Sequence, residues 1–115
     1  MKLKDIVSEI YIPIKKITGY ALKLNHPNGG DKAYMFKRHL GYTQDNYAFL
    51  LAQIEEKALI EDTIERPPNE HGRIFQVDLQ ILGNYEGQKE IVRTGWIIKP
   101  NSNIAQLTTL YIIER

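Results

Sequence analysis

The sequence predicts an α+β domain spanning residues 1–115, with N-terminal helices packed on a C-terminal antiparallel β-meander. Three observations predict it. Tyr47, Leu50, Leu51, Ile54 and Ala58 recur at i, i+3, i+4, i+7 and i+11, which puts one apolar stripe on a helix. Phe75, Val77, Leu79 and Ile81 alternate with Gln76, Asp78 and Gln80, the period of a half-buried strand. Helical spacing occupies the first half of the chain and strand spacing the second, an order that suits segregated α and β layers.

The first segment is mixed. Ile6, Ile10, Ile12, Ile14 and Ile17 switch between helical and alternating spacing, and Pro13 interrupts any helix there. A short element is expected first, then a short helix near Lys15–Leu24. Asp31–Leu40 reads as an amphipathic helix, with Ala33, Phe36 and Leu40 inward and Gly41 at its C-terminal cap. Thr43-Gln44-Asp45-Asn46 is expected to cap the next helix, which runs to about Glu61. Pro67-Pro68-Asn69-Glu70-His71-Gly72 breaks regular structure. Three strands follow: the Phe75 strand, Gln88–Ile98 after the loop Gly83–Gly87, and Ile104–Ile113 after the turn at Pro100–Asn103. Leu107, Thr109 and Tyr111 are expected on one face of the last strand.

Composition bounds the chemistry. A chain of 115 residues suffices for one core. There are no cysteines, so neither disulfides nor thiolate metal sites are available, and cytosolic residence is allowed. No segment reads as a signal peptide and no apolar run approaches membrane-spanning length. The net charge of +1 is unevenly spread. Residues 1–43 carry eight Lys/Arg against three Asp/Glu, a net of +5, and residues 44–70 carry two against seven, a net of −5. The basic segment either attracts an anion or simply neutralises the acidic one.

That basic segment contains Asn25-His26-Pro27-Asn28-Gly29-Gly30-Asp31-Lys32. Gly29 and Gly30 deliver the chain onto a helix N-terminus, where free N–H groups and the dipole favour an anion. Lys32 adds positive charge in the first turn, where the dipole alone disfavours it. His26 lies just upstream, and histidine is the side chain suited to exchanging a proton near neutral pH. The alternative is an ordinary helix cap with a surface lysine and a loop histidine. His26, His39 and His71 are spaced unlike metal ligands, and neither serine, Ser8 or Ser102, lies in a nucleophile-elbow pattern. No Walker loop or dinucleotide fingerprint is present. Acid–base and electrostatic chemistry without a metal remains, or no chemistry.

Three groups of residues carry a resemblance. They are Tyr20-Ala21-Leu22 with His26-Pro27-x-Gly29-x-x-Lys32-Ala33-x-x-Phe36 and Leu40-Gly41-Tyr42; then Gly72-Arg73-Ile74-Phe75 with Arg93-Thr94-Gly95-Trp96; and Leu107-Thr108-Thr109-Leu110-Tyr111. In order and spacing the chain resembles, over nearly its full length, a bacterial domain-of-unknown-function family found as small proteins and toxin-like modules. Its architecture also resembles the barnase/EndoU/colicin/RelE group of metal-free ribonucleases, a likeness of fold.

The resemblance implies a toxin, cytoplasmic in action, that cleaves RNA by 2′-OH attack on the adjacent phosphate. It implies no cofactor and no metal. The implied catalytic residues are His26 and Lys32 at the loop–helix junction and Arg93, Thr94 and Thr109 in the sheet. His26 would move a proton, Lys32 and Arg93 would clamp phosphate, and the threonines would orient it. Gly29 and Gly30 would meet the substrate with backbone N–H groups, and Trp96 or Tyr111 would stack a base. RNA is the implied partner, together with a neutralising antitoxin or immunity protein; no membrane is expected. The sheet supplies no histidine, so the second proton carrier is unassigned. Read without the resemblance, Thr94 and Thr109 are ordinary strand residues, Trp96 a core residue and Arg93 a cross-strand partner. The competing functional reading is a non-catalytic binding module of immunity or phage-inhibitor type, whose His26–Lys32 loop holds an anionic partner.

Overall fold

Alternating burial organises the second half of the chain. In a computed structural model describing residues 1–25 and 30–113, strands β2 (Thr63–Asn69), β3 (Gly72–Leu82), β4 (Lys89–Ile98) and β5 (Ile104–Ile112) pair antiparallel in sequence order. β1 (Glu9–Tyr11) adds to β5 in parallel, so the sheet order is β1-β5-β4-β3-β2. The helices are α1 (Ile14–Lys16, continued by a π-type segment Ile17–Ala21), α2 (Gly30–Leu40) and α3 (Ala48–Lys57).

One face of the sheet meets the helices. Phe75, Val77, Leu79 and Ile81 of β3 and Val92 and Trp96 of β4 are buried there with Phe36 and Leu40 of α2 and Leu50 and Ile54 of α3. Burying a large apolar side chain contributes about 1.5–3 kcal/mol, and this shared layer is the core. The expected α+β architecture is what forms. Among the described residues no helix is long and apolar enough to cross a membrane.

The sheet is wider than the expected meander. Pro67 and Pro68 lie inside a strand rather than ending regular structure. β2 is an edge strand, six of its seven residues are exposed, and its register slips between Arg66 and Asn69. An edge needs no outward N–H, so the prolines cost no ladder bond and also block further strand addition. β1 is three residues long, too short for a periodic signal.

Local chemistry moves other boundaries. Gly41 has φ +71° and ends α2, with the Gly41 and Tyr42 amides donating to the Lys37 and Phe36 carbonyls. The Thr43–Asn46 quartet does not cap α3. The Thr43 amide donates to Asn46 Oδ1 at 2.7 Å, Asn46 Nδ2 donates to the Gly41 carbonyl at 3.0 Å, and α3 begins only at Ala48. The β3–β4 loop extends through Gln88, whose carbonyl accepts from the Gly83 amide, so β4 starts at Lys89.

A bulge in β5 divides the residues expected on one face. Trp96 pairs with Leu107 but Gly95 with Thr109, leaving Thr108 as the extra residue. Leu107 therefore points into the core with Leu110, while Thr109 and Tyr111 turn away from it, only partly buried.

Candidate functional site

Strand register assembles a polar row on the sheet face turned away from the core. Arg93 of β4 lies between Asp78 of β3 and Tyr111 of β5. The Arg93 guanidinium donates from Nε to Asp78 Oδ1 at 3.0 Å and from Nη2 to Oδ2 at 3.1 Å. Their side chains are 34% and 35% exposed, so a ligand can still reach the pair. The Asp78 carboxylate, and after it the Tyr111 hydroxyl, hold the Arg93 guanidinium still further above its ordinary pKa. Arg93 is a permanent cation here.

The next row holds Gly95 opposite Thr109. A Cβ at Gly95 would come within 2.8 Å of Thr109 Cγ2, so only glycine lets that side chain approach this closely. Thr108 Oγ1 donates to the Gly95 carbonyl at 3.1 Å and holds the bulge in place.

Lys32 comes from the helix side. β1 pairs only Ile104–Gln106 of β5, and helices α1 and α2 pack against that strand as well. From the first turn of α2, Lys32 Nζ donates to Tyr20 Oη at 3.1 Å. The same ammonium stands 4.7 Å from the centroid of the Tyr111 ring and 5.5 Å from that of Tyr20. Such cation–π contacts contribute about 0.5–1 kcal/mol each where exposed and more where desolvated. Asp31, Lys32, Met35, Tyr111, Ile112 and Ile113 line a cleft of about 320 Å³ at this junction. Lys32, Tyr111, Arg93 and Asp78 thus form one continuous chain of contacts from α2 across β5 and β4 to β3.

The site residues expected from sequence divide into three groups. Lys32, Arg93 and Tyr111 come together, and Thr109 shares the sheet face of Arg93 and Tyr111. Thr94 and Trp96 do not join them, which corrects the expected assignment. Both point into the core and are fully buried. Trp96 Nε1 donates to Thr94 Oγ1 at 2.8 Å, and Thr94 Oγ1 donates to the Val77 carbonyl at 2.7 Å. Neither can orient a phosphate or stack a base on the opposite face. Gly30 is the first residue of α2; His26 and Gly29 lie outside the described residues.

Asp78 and Tyr20 were not expected in the site. Asp78 was legible in principle, as a polar residue on the outward phase of β3. Its register was not, because a loop ending at Gly87 would place it opposite Val92 instead of Arg93. Tyr20 stands in the Tyr20-Ala21-Leu22 group, but its contact with Lys32 depends on how the α1 segment and α2 pack and leaves no mark in the sequence. Among the described residues no three His, Asp or Glu side chains gather as a metal site would need.

No curated protein and no solved structure matches this chain. The family model for a domain of unknown function (DUF6883) matches residues 2–114. With all but the ends of the chain inside that match, the protein belongs to the DUF6883 family.

Proposed function

We propose that this domain is a metal-independent ribonuclease of toxin type, acting in the cytoplasm, that cleaves RNA by 2′-OH attack on the adjacent phosphodiester. The observation that carries the reading is the convergence of Lys32, Tyr111 and Arg93, with Thr109 on the same face, from elements nearly eighty residues apart. Two fixed cations and hydroxyl groups beside an open cleft suit a phosphate that gains negative charge as it reacts. Asp78 occupies the Nε and Nη2 donors of Arg93 and leaves those of Nη1 unused by it. Arg93 can therefore be held in register by the carboxylate and still meet phosphate. Lys32 supplies the second charge from α2, and Thr109 a hydroxyl from the neighbouring row. His26, four residues before α2 in the chain, takes the role of base. A toxin of this kind requires a neutralising partner protein.

The test is cleavage of a short RNA by the purified chain in excess chelator, with the product ends identified by mass spectrometry. Cyclic phosphate ends are expected, because 2′-OH attack makes one. His26→Ala should lower the rate by about 10²–10⁴-fold, the usual contribution of a positioned acid or base. Intact RNA at micromolar wild-type protein overturns the reading.

One observation favours a non-catalytic reading as the competitor. Arg93 already has a carboxylate partner and Lys32 a tyrosine clamp, so both cations are partly satisfied at rest. With Tyr11, Tyr34 and Tyr85 each more than half exposed, the surface also suits a protein interface. An inert protein that binds a protein partner through Lys32 would fit that case.

A further inference from the structure

We infer that Tyr111 is the proton donor to the leaving group in this site; the inference rests on the ribonuclease reading and assigns the proton carrier that reading lacks. The strands β2–β5 carry no histidine: His39 lies on α2, and His71 sits in the β2–β3 turn beside Glu70 at 3.3 Å. A group of the cleft itself is therefore placed to protonate the departing 5′-oxygen. Thr109 is too weak an acid for the task. Tyr111 lines the cleft, is partly exposed, and carries a hydroxyl on the side of Arg93, its direct cross-strand neighbour.

Two observations separate this role from base stacking. The ammonium of Lys32 stands over the Tyr111 ring at 4.7 Å, so that ring face is already taken. The same ammonium and the Arg93 guanidinium bracket the phenol. Negative charge left on the oxygen as its proton departs faces the Arg93 guanidinium across the strand pair and the Lys32 ammonium over the ring. Charge stabilisation placed before the reaction, rather than assembled during it, is what lowers a barrier.

The step balances. The O2′–P bond forms as the 2′-OH proton passes to the general base. The P–O5′ bond breaks as the Tyr111 proton passes to the 5′-oxygen. The products are a 2′,3′-cyclic phosphate and a free 5′-hydroxyl. The protonated base and the phenolate then exchange one proton through water, which restores both groups.

Tyr111→Phe keeps the ring beneath Lys32 and removes only the hydroxyl. The test compares two substrates, a dinucleoside phosphate and uridine 3′-(4-nitrophenyl phosphate), whose leaving group departs without a proton. Tyr111→Phe should lose about 10²–10⁴-fold in kcat on the dinucleotide and less than about threefold on the nitrophenyl ester. Lys32→Ala should slow both. Equal losses on the two substrates, or no loss on either, overturn the role of Tyr111 while the ribonuclease reading stands. A wild-type protein that cleaves neither overturns both. Should Tyr111→Phe lower the thermal midpoint, the wild-type dependence of kcat/KM on leaving-group acidity decides instead. A shallow dependence across alkyl and aryl esters supports a proton donor, and a steep one overturns it.

Discussion

Thr94→Val separates a structural threonine from a catalytic one. Valine keeps the shape and the β-branch of threonine, so the strand and the packing survive. What it removes is an oxygen that accepts from Trp96 Nε1 at 2.8 Å and donates to the Val77 carbonyl at 2.7 Å. Thr94 and Trp96 have no exposed surface, so water cannot take over. A buried donor left unpaired costs about 1–3 kcal/mol, and the lost donation to Val77 adds up to about 1 kcal/mol. The expected destabilisation is about 2–3 kcal/mol. For a chain of this length that is a fall of about 8–12 °C in the thermal midpoint. Trp96→Phe has its own cost in lost packing, but in the Thr94→Val background it also removes the orphaned N–H. The double-mutant cycle should therefore show a coupling of about 1–2 kcal/mol. The chain has one tryptophan, so all four proteins are followed by circular dichroism in urea rather than by fluorescence. At a temperature where Thr94→Val is folded, any RNA cleavage should stay within about threefold of wild type. A loss of stability under about 0.5 kcal/mol, strict additivity, or an activity that collapses while the fold holds would refute the reasoning.

Three further outcomes follow from the same structure. Gln53 acts as a substitute strand residue: its Oε1 accepts from the Leu82 amide at 2.8 Å and its Nε2 donates to the Leu82 carbonyl at 3.0 Å. Gln53→Ala should cost about 2–4 kcal/mol in urea denaturation, because it strands that amide and leaves a void between α3 and β3. Burial raises the pKa of Tyr42 above its ordinary value near 10, and the Gln53 amide only partly offsets it. The folded state thus holds that proton more tightly than the unfolded chain. Its contribution to stability is complete below pH 10 and falls as pH rises beyond it, a limb that Tyr42→Phe should remove. Asp78→Ala should free Arg93 to move and weaken RNA binding or cleavage by about tenfold, by losing position rather than charge; an Asp78→Ala protein with unaltered kcat and KM would show that the ion pair plays no part in the site.

How much of this was readable from the chain differs by level. The helix stripe through Leu50 and Ile54 and the strand stripe through Phe75 to Ile81 were legible because burial on one face imposes a period of 3.6 or 2. Such a pattern survives in the sequence whatever the partner is. β1 and β2 were not legible. A three-residue strand has no period, and Pro67-Pro68 belongs in a strand only when that strand is an edge.

The candidate site was half legible for the same reason. Sequence by itself determined the α+β class and singled out Lys32, Arg93, Thr109 and Tyr111 as candidates for the proposed phosphate site. It could not determine which of them meet. Tertiary structure decided that through register, where one extra loop residue at Gln88 brings Asp78 opposite Arg93, and one bulge residue at Thr108 sends Leu107 inward but Thr109 and Tyr111 outward. It also decided that Thr94 and Trp96 face the core, since alternate residues of a strand occupy opposite faces. Side-chain direction in a sheet depends on the parity of pairing between distant segments, and that parity is set by loops and bulges rather than by the residues whose direction it controls.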